Sequence, residues 1–515
     1  MAITTMRRLS GYAGLARDAM RLRRADEEQL RRHAQRHVAE RLGRLRGLPQ
    51  KLGQMLSFSE ASDDSGSAAF ERLQESAEPL PLDALIGEME SAWNQPLCDV
   101  LQEIDPQGHA ASLGQVHRAT THDSVEVAVK IQFPGIRENV RTDLKMLGWL
   151  SKPLGNLRRG FDLDAYRKVI LRDMDEELDY QREAQSQRQF ADWARQRDDV
   201  VVPEVITSLS DERVLVTRWE DGDTWRQVCD HWTPKQKKTL ARSLLGVVLE
   251  GLFARGMMHA DLHPGNLRFR RTADGSVQIV LYDFGSVFRP TDSQRLGLLR
   301  LIRATIERNE SPWPLLLKLG FNREYLEPLH AKLPALCRLL FEPFCCEAPY
   351  DMEDWRLGER IQDVLGDDRW NFRIAGPADL VFLMRIFHAL NFYLKGLDTR
   401  INWQHAIRPH LDREIATMTA LPVCATDPSD HGFATLAKWF KIRVTENGRT
   451  KVELTGNASG IERLEEQLDP PLLVKIKERG IDLAEVVADV RRNGYQPCEV
   501  FKLDDGAKQI RVWLE

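Results

Sequence analysis

What the 515-residue chain has little of narrows its class before any motif is read. Its seven cysteines are scattered, with one adjacent pair at Cys345 and Cys346 and no Cys-x-x-Cys. Neither a disulfide framework nor a thiolate zinc site is therefore expected, and a reducing compartment fits best. No run approaches the roughly 18 uninterrupted apolar residues that would read as a membrane span, so any bilayer contact is expected to be peripheral. The formal net charge is only -5, with 42% hydrophobic and 29% charged residues, a soluble composition that gives no sign of a nucleic-acid binder. The first 25 residues lack the apolar core of a secretory signal and carry Arg7, Arg8, Arg17, Arg21, Arg23 and Arg24 against Asp18. A cytoplasmic protein is expected. Met6, Leu9, Ala13, Ala16 and Met20 recur there at helical spacing, which fits a membrane-surface helix, a transit peptide or a basic helix packed on its own domain.

A local shortage matters more. The stretch "HAASLGQVHRA" (109–119) precedes the strand-like run "VEVAVKIQF", where a loop folding over nucleotide phosphates would be rich in glycine. It holds Ala110, Ala111 and Ser112, with one glycine at Gly114.

The chain is too long for one ordinary core, and four segments are expected. Residues 1–104 read as a helical extension and 105–222 as a small α+β lobe, with strands in "VEVAVKIQF", "VVVPEVI" and "RVLVTRWEDG". Residues 223–425 read as a helical lobe broken by a hairpin that turns at Asp274 and Gly275. After the turn-forming stretch "CATDPSDHG", residues 432–515 read as a separate, detachable α+β domain with an Asn-Gly and an Asp-Gly hairpin that could share one sheet.

Phosphoryl transfer needs a cation for the phosphates, metal ligands, and a positioned residue near the acceptor. In "VAVK", Val127, Val129 and Ile131 share one strand face, while Ala128 and Lys130 share the other. "HADLHPGN" sets Asp261 and Asn266 five residues apart, the spacing of a kinase catalytic aspartate and its metal-binding asparagine. "LYDFG" ends an apolar run in Asp283, 22 residues after Asp261, in the place of a second metal ligand. His259-Ala260-Asp261 lacks the arginine that would answer an activation-loop phosphate, so control by loop phosphorylation is not expected. His263 is read as holding the loop rather than touching metal.

"PQKLGQ" adds Lys51, Gly53 and Gln54, and "EELDYQREA" adds Glu177, Asp179 and Glu183. With "AAS", "HADLHPGN" and "DFG" in this order, the chain over roughly residues 45 to 400 resembles the UbiB (AarF) family of atypical kinase-like proteins. The resemblance implies an α+β, bilobal protein-kinase-like fold whose N-terminal helical extension lies over the active site, with ATP and Mg2+ as cofactors. It further implies that Lys51 pairs with Glu177 and Lys130 with Glu183, with Gln54 and Asp179 in the occluding elements. Glu177 and Glu183, taken as one helix, lie about 240° apart, and Glu177 and Asp179 about 200°, so different faces would serve different partners.

Methyl groups in the Ala110–Ser112 loop narrow its conformations, so closure over ATP as a glycine loop closes is not expected. Adenine nucleotide binding with ATPase or restricted small-molecule kinase activity follows. The resemblance adds a link to ubiquinone biosynthesis or lipid handling at a membrane, with an isoprenoid or lipid-like molecule as partner. Two other readings stay open, a phosphotransferase of the aminoglycoside or choline kinase type and a non-catalytic nucleotide-sensing scaffold. "THDSVE", without the usual turn glycine, and a tail standing where many relatives have membrane spans are departures from the family pattern.

Overall fold

The computed structural model describes residues 79–142 except 112, residue 172, residues 174–423, residue 430, and residues 432–515 except 507. Lys51, Gln54, Ser112, the basic N-terminal segment and most of the expected helical extension lie outside the described residues. The described chain groups into two compact units. One comprises Met1–Gly251, Met257–Arg289 and Ala378–Thr399; the other comprises Leu252–Gly256, Pro290–Pro377 and Arg400–Glu515.

In the first unit, alternation dictates a sheet. Strands β1 (Leu101–Ile104), β2 (His109–Ala110), β3 (Gly114–Thr121), β4 (Glu126–Gln132) and β6 (Val214–Arg218) form an antiparallel sheet of order β1-β3-β4-β6, with β2 beside β3. Val127, Val129 and Ile131 of β4 and Val214 and Val216 of β6 are buried together. Leu85 and Met89 of helix α1 (Asp83–Trp93) cover them, one helical turn apart on a single face. Lys130 is left on the opposite face, paired in register with Val116 and Leu215.

One expected strand lies elsewhere. Of "VVVPEVI", only Val200–Val201 form a strand, β5, and it pairs in parallel with β9 (Val277–Leu281) instead of joining the first sheet. Pro203 has no N–H to give a ladder, and beyond it Val205 makes only an isolated bridge to Thr217 of β6.

Helix α2 (Tyr180–Ala194) starts at an Asp179 cap, and α3 (Pro234–Glu250) at a capping box between Thr233 and Gln236. β8 (Leu267–Arg271) and β9 form the expected hairpin, with Gly275 at φ 84° in its turn. β7 (Met258–His259) pairs with β10 (Val287–Phe288), so one short ladder closes the ends of the segment from 259 to 287 and the β8–β9 hairpin lies within it. Helix α4 (Leu380–Gly396) packs here through Phe382 stacked on Phe288 (5.7 Å) and Tyr393 edge-on to Trp225 (4.8 Å).

In the second unit, the helices Asp292–Glu307, Leu333–Leu340, Leu357–Leu365 and Trp403–Thr419 group with the tail. The tail sheet has the order β12-β11-β14-β13, from β11 (Trp439–Glu446), β12 (Arg449–Asn457), β13 (Cys498–Asp505) and β14 (Lys508–Leu514). The Asn447-Gly448 turn has positive φ at both residues (51° and 74°), the requirement of the tight hairpin turn these residues favour. Antiparallel pairing of β11 with β14 joins the two hairpins into one sheet.

Charge ties this tail to the helices of its own unit. Arg360, only 2% exposed, donates to Glu342 (2.6 Å) and to the Tyr495 hydroxyl (3.3 Å), and it lies 3.5 Å from Glu462. Arg491 in turn pairs with Glu462 (2.7 Å) and Asp363 (2.8 Å). Residues 342–363 and 462–495 thus share one buried ionic network.

Candidate active site

Three elements bring charge to one place. The ammonium of Lys130 donates to both oxygens of Glu183 on α2 (2.7 and 2.9 Å) and lies 3.0 Å from Oδ1 of Asp283, just after β9. Burial opposes the lysine charge, but Asp283 and Glu183 outweigh it and hold the ammonium above the ordinary lysine range. Burial likewise pushes the Glu183 carboxyl up to about 7 against the pull of Lys130. For Asp283 the balance reverses: burial would raise it, but Lys130 keeps it below the ordinary carboxylate range. Asp283 sits at φ 56°, a left-handed conformation that Asp and Asn tolerate better than other side-chain-bearing residues. The next ring, Phe284, is buried between Phe190 (5.0 Å) and His259 (5.2 Å), which anchors the turn.

The loop from 259 to 266 is held from within. His259 is buried and its imidazole is kept below the ordinary histidine range by burial. Its Nε2–H donates to the Tyr282 carbonyl (2.8 Å), and Nδ1 accepts from the Asp261 N–H (3.2 Å), an assignment of the neutral ring that satisfies both contacts. His263 Nδ1 accepts from Gly265 N–H (3.0 Å). The Asn266 side-chain NH2 donates to the Asp261 carbonyl (3.1 Å) and to Oδ2 of Asp261 (3.2 Å), which leaves its own carbonyl oxygen for a cation.

The glutamates of "EELDYQREA" do not share one helix. The helical residues 174–177 stop at Leu178, a turn residue, and Asp179 is extended (φ -118°, ψ 93°), its carboxylate accepting from the N–H groups of Gln181 and Arg182. Asp179 restarts the helix as its cap, so angles counted along a continuous helix do not apply to Glu177 and Glu183. Glu177 is 9% exposed and borders Gly285, where an added Cβ would lie 3.3 Å from its Cγ and 3.2 Å from Oδ1 of Asp283. Its partner in the resemblance, Lys51, is outside the described residues. If Asp179 acts as a cap, Asp179→Asn should be nearly neutral in urea unfolding, while Asp179→Ala should cost about 1 kcal/mol. Equal losses from both would point to the charge instead.

Ala110 pairs with Gln115, and the Ala111 N–H donates to the Gly114 carbonyl (2.8 Å), so Ala110 and Ala111 lie against the start of β3. A Cβ at Gly114 would lie 2.1 Å from the Ile131 carbonyl oxygen, so packing against β4 requires glycine there.

Two residues escaped the sequence. The Tyr180 hydroxyl is buried without a hydrogen-bond partner among the described residues, with its ring 5.1 Å from Nζ of Lys130. Burial pushes it well above the ordinary tyrosine range, so it remains a donor. Arg385 of α4, 3% exposed, donates to Oδ1 of Asp261 (2.8 Å). An arginine inside the apolar run "LVFLMRIF" was the available signal for the second; nothing in the sequence singles out Tyr180.

These groups suit a nucleotide with magnesium. An orphaned donor and a buried ammonium are what phosphate oxygens accept from, and Asp283 with the Asn266 carbonyl is a hard-oxygen pair. No group of three or more His, Cys, Asp and Glu side chains among the described residues is placed to hold a metal by itself.

A lysine on an antiparallel sheet paired to a helix glutamate, above an Asp-x4-Asn loop and a strand-ending Asp-Phe-Gly, defines a bilobal α+β protein-kinase-like fold. The chain matches the ABC1 atypical kinase-like domain over residues 72–313, in keeping with the resemblance to the UbiB (AarF) family. It is 33% identical over 258 residues to the mitochondrial atypical kinase coq-8 of Caenorhabditis elegans, covering 49% of this chain and 34% of that protein. It is 28% identical over 340 residues to the mitochondrial atypical kinase COQ8 of Schizosaccharomyces pombe, covering 63% and 54%. The matches span between 34% and 65% of the length of such curated relatives. Among solved structures, the Rv3197–erythromycin complex from Mycobacterium tuberculosis aligns with a TM-score of 0.50 at 28% identity, over 74% of this chain and 96% of that one.

Proposed function

We propose that the protein is a magnesium-dependent, ATP-binding enzyme of the atypical kinase class, with ATPase or restricted small-molecule kinase activity. The observation that carries this reading is the convergence of Lys130, Glu183 and Asp283 beside the Asp261–Asn266 pair. Lys130 and the Tyr180 hydroxyl would bind phosphate oxygens, Asp283 and the Asn266 carbonyl would hold magnesium, and Asp261 would orient the acceptor. Magnesium supplies charge neutralisation on the phosphates. Ala110, Ala111, Ser112 and Gly114 would border the nucleotide, and the methyl groups would restrict transfer to bulky protein acceptors. Lys51 and Gln54, with Glu177, would close the acceptor side.

The coq-8 and COQ8 relatives support a link to ubiquinone biosynthesis, and the partner we propose is an isoprenoid or lipid-like small molecule. The Rv3197 structure holds erythromycin, which supports a small organic molecule over a protein as ligand. No helix among the described residues is long and apolar enough to cross a membrane. The membrane contact we propose is peripheral, through the basic segment near the N-terminus. Deleting residues 2–24 should abolish salt-sensitive flotation with anionic liposomes and leave nucleotide binding intact; unchanged flotation would place the contact elsewhere.

Calorimetry tests the site itself. Asp283→Asn should abolish magnesium-dependent ATP binding, whereas Asp261→Asn should preserve binding and stop phosphate release. Equal affinity in Asp283→Asn would overturn the metal assignment, and lost affinity in Asp261→Asn would make Asp261 structural.

A further inference from the structure

The apolar helix α4 carries a buried cation. In α4, Val381, Phe382, Leu383, Ile386 and Leu390 are buried hydrophobics, and Arg385 among them is 3% exposed. An uncompensated guanidinium in such surroundings is costly, and even a well-paired one adds little stability over an apolar residue of similar size. Packing therefore gives no reason for an arginine here. Its partner does: Nη2 of Arg385 donates to Oδ1 of Asp261 at 2.8 Å, across 124 positions of sequence.

Two further side chains hold Asp261 from its own loop. His259 fixes its N–H, and Asn266 fixes its carbonyl and, at 3.2 Å, Oδ2. Both side chains lie within five residues of Asp261 and move with the loop. Arg385 comes from a different element, helix α4, fastened by Phe382 on Phe288 and Tyr393 on Trp225. We infer that Arg385 is a positioning residue that clamps Oδ1 of Asp261, fixing the carboxylate plane so that its Oδ2 edge faces the acceptor. This rests on the proposed function in taking Asp261 as the residue that orients the acceptor.

The test uses the full chain with magnesium and ATP and two substitutions. Arg385→Met removes the clamp but suits the apolar helix; Arg385→Lys retains charge without the planar donor fork. In both, kcat for phosphate release should fall, by roughly 100-fold for Met, with the ATP dissociation constant unchanged. Lys should recover part of the loss. A purely structural arginine would instead lower affinity, thermal stability and kcat together. Unfolding measurements supply a readout independent of turnover: Arg385→Met should destabilise wild type but be neutral or stabilising beside Asp261→Asn, since the charge pair is then already broken. Wild-type kcat in Arg385→Met, parallel loss of affinity and kcat in Arg385→Lys, or additive unfolding effects would each overturn the inference. Should the wild-type chain release no phosphate, the functional reading fails by itself, and the unfolding cycle still reports on the clamp.

Discussion

Lys130→Met should abolish nucleotide-dependent phosphate release and destabilise the first unit by about 3–5 kcal/mol, the cost of leaving a buried charge without its partner. Two carboxylates are affected, because the same ammonium serves Glu183 and Asp283. Glu183, 2% exposed, has little water to turn to. It can relieve the cost by taking up a proton, which gives the variant a pH signature. With Lys130 present, the Glu183 carboxyl is already raised to about 7 by burial; without the ammonium it must rise further. Above about 7 the variant's native state would hold a proton that the wild-type site has released, so the stability defect should grow as pH rises. Urea unfolding of both proteins across neutral pH checks this. A constant defect would mean that Glu183 does not depend on Lys130.

Glu462→Ala should be nearly as damaging in the second unit, about 3–5 kcal/mol, by removing the carboxylate shared between Arg491 and Arg360. Burial would raise the Glu462 carboxyl, but Arg491 and Arg360 hold it below the ordinary range. A depressed carboxylate gives stability that is present above its unfolded pKa and lost as pH falls through the folded one. The variant should accordingly lack part of the wild-type acid sensitivity below about pH 4.5. Cutting the chain after Thr426 removes Glu462, Arg491 and Tyr495 together and leaves Arg360 beside Glu342. We expect that shortened chain to unfold at lower urea than the full chain; an unchanged midpoint for the residues it retains would show the tail to be energetically independent.

The legible parts of this molecule were those written in local pattern. Alternation located β4 and its lysine, and Asp274-Gly275 and Asn447-Gly448 marked two hairpins, because one strand or one turn suffices to specify each. The spacing of Asp261, Asn266 and Asp283 was readable for the same reason: a short loop and a hairpin carry all three. What sequence obscured depends on contacts between distant segments. An arginine in an apolar helix has no meaning until Asp261 lies against it, and Arg360 gives no hint of Glu462, about a hundred residues on. The break at Asp179 was missed for a different reason. "EELDYQREA" is helical by propensity throughout, and only the hydrogen bonds that the Asp179 carboxylate accepts from the N–H groups of Gln181 and Arg182 reveal that one helix ends and another begins.

The left-handed backbone at Asp283 has a consequence for how substitutions there should be read. Glycine and asparagine fit that conformation at little cost, whereas valine or isoleucine would add strain to the loss of the carboxylate. Abundance in cells and nucleotide binding should then rank a full set of replacements differently. Asn and Gly should accumulate like wild type while failing to bind, and β-branched residues should fail on both counts. Alanine, the usual choice for probing a site, would confound the two effects at this position, so the informative knock-out is asparagine.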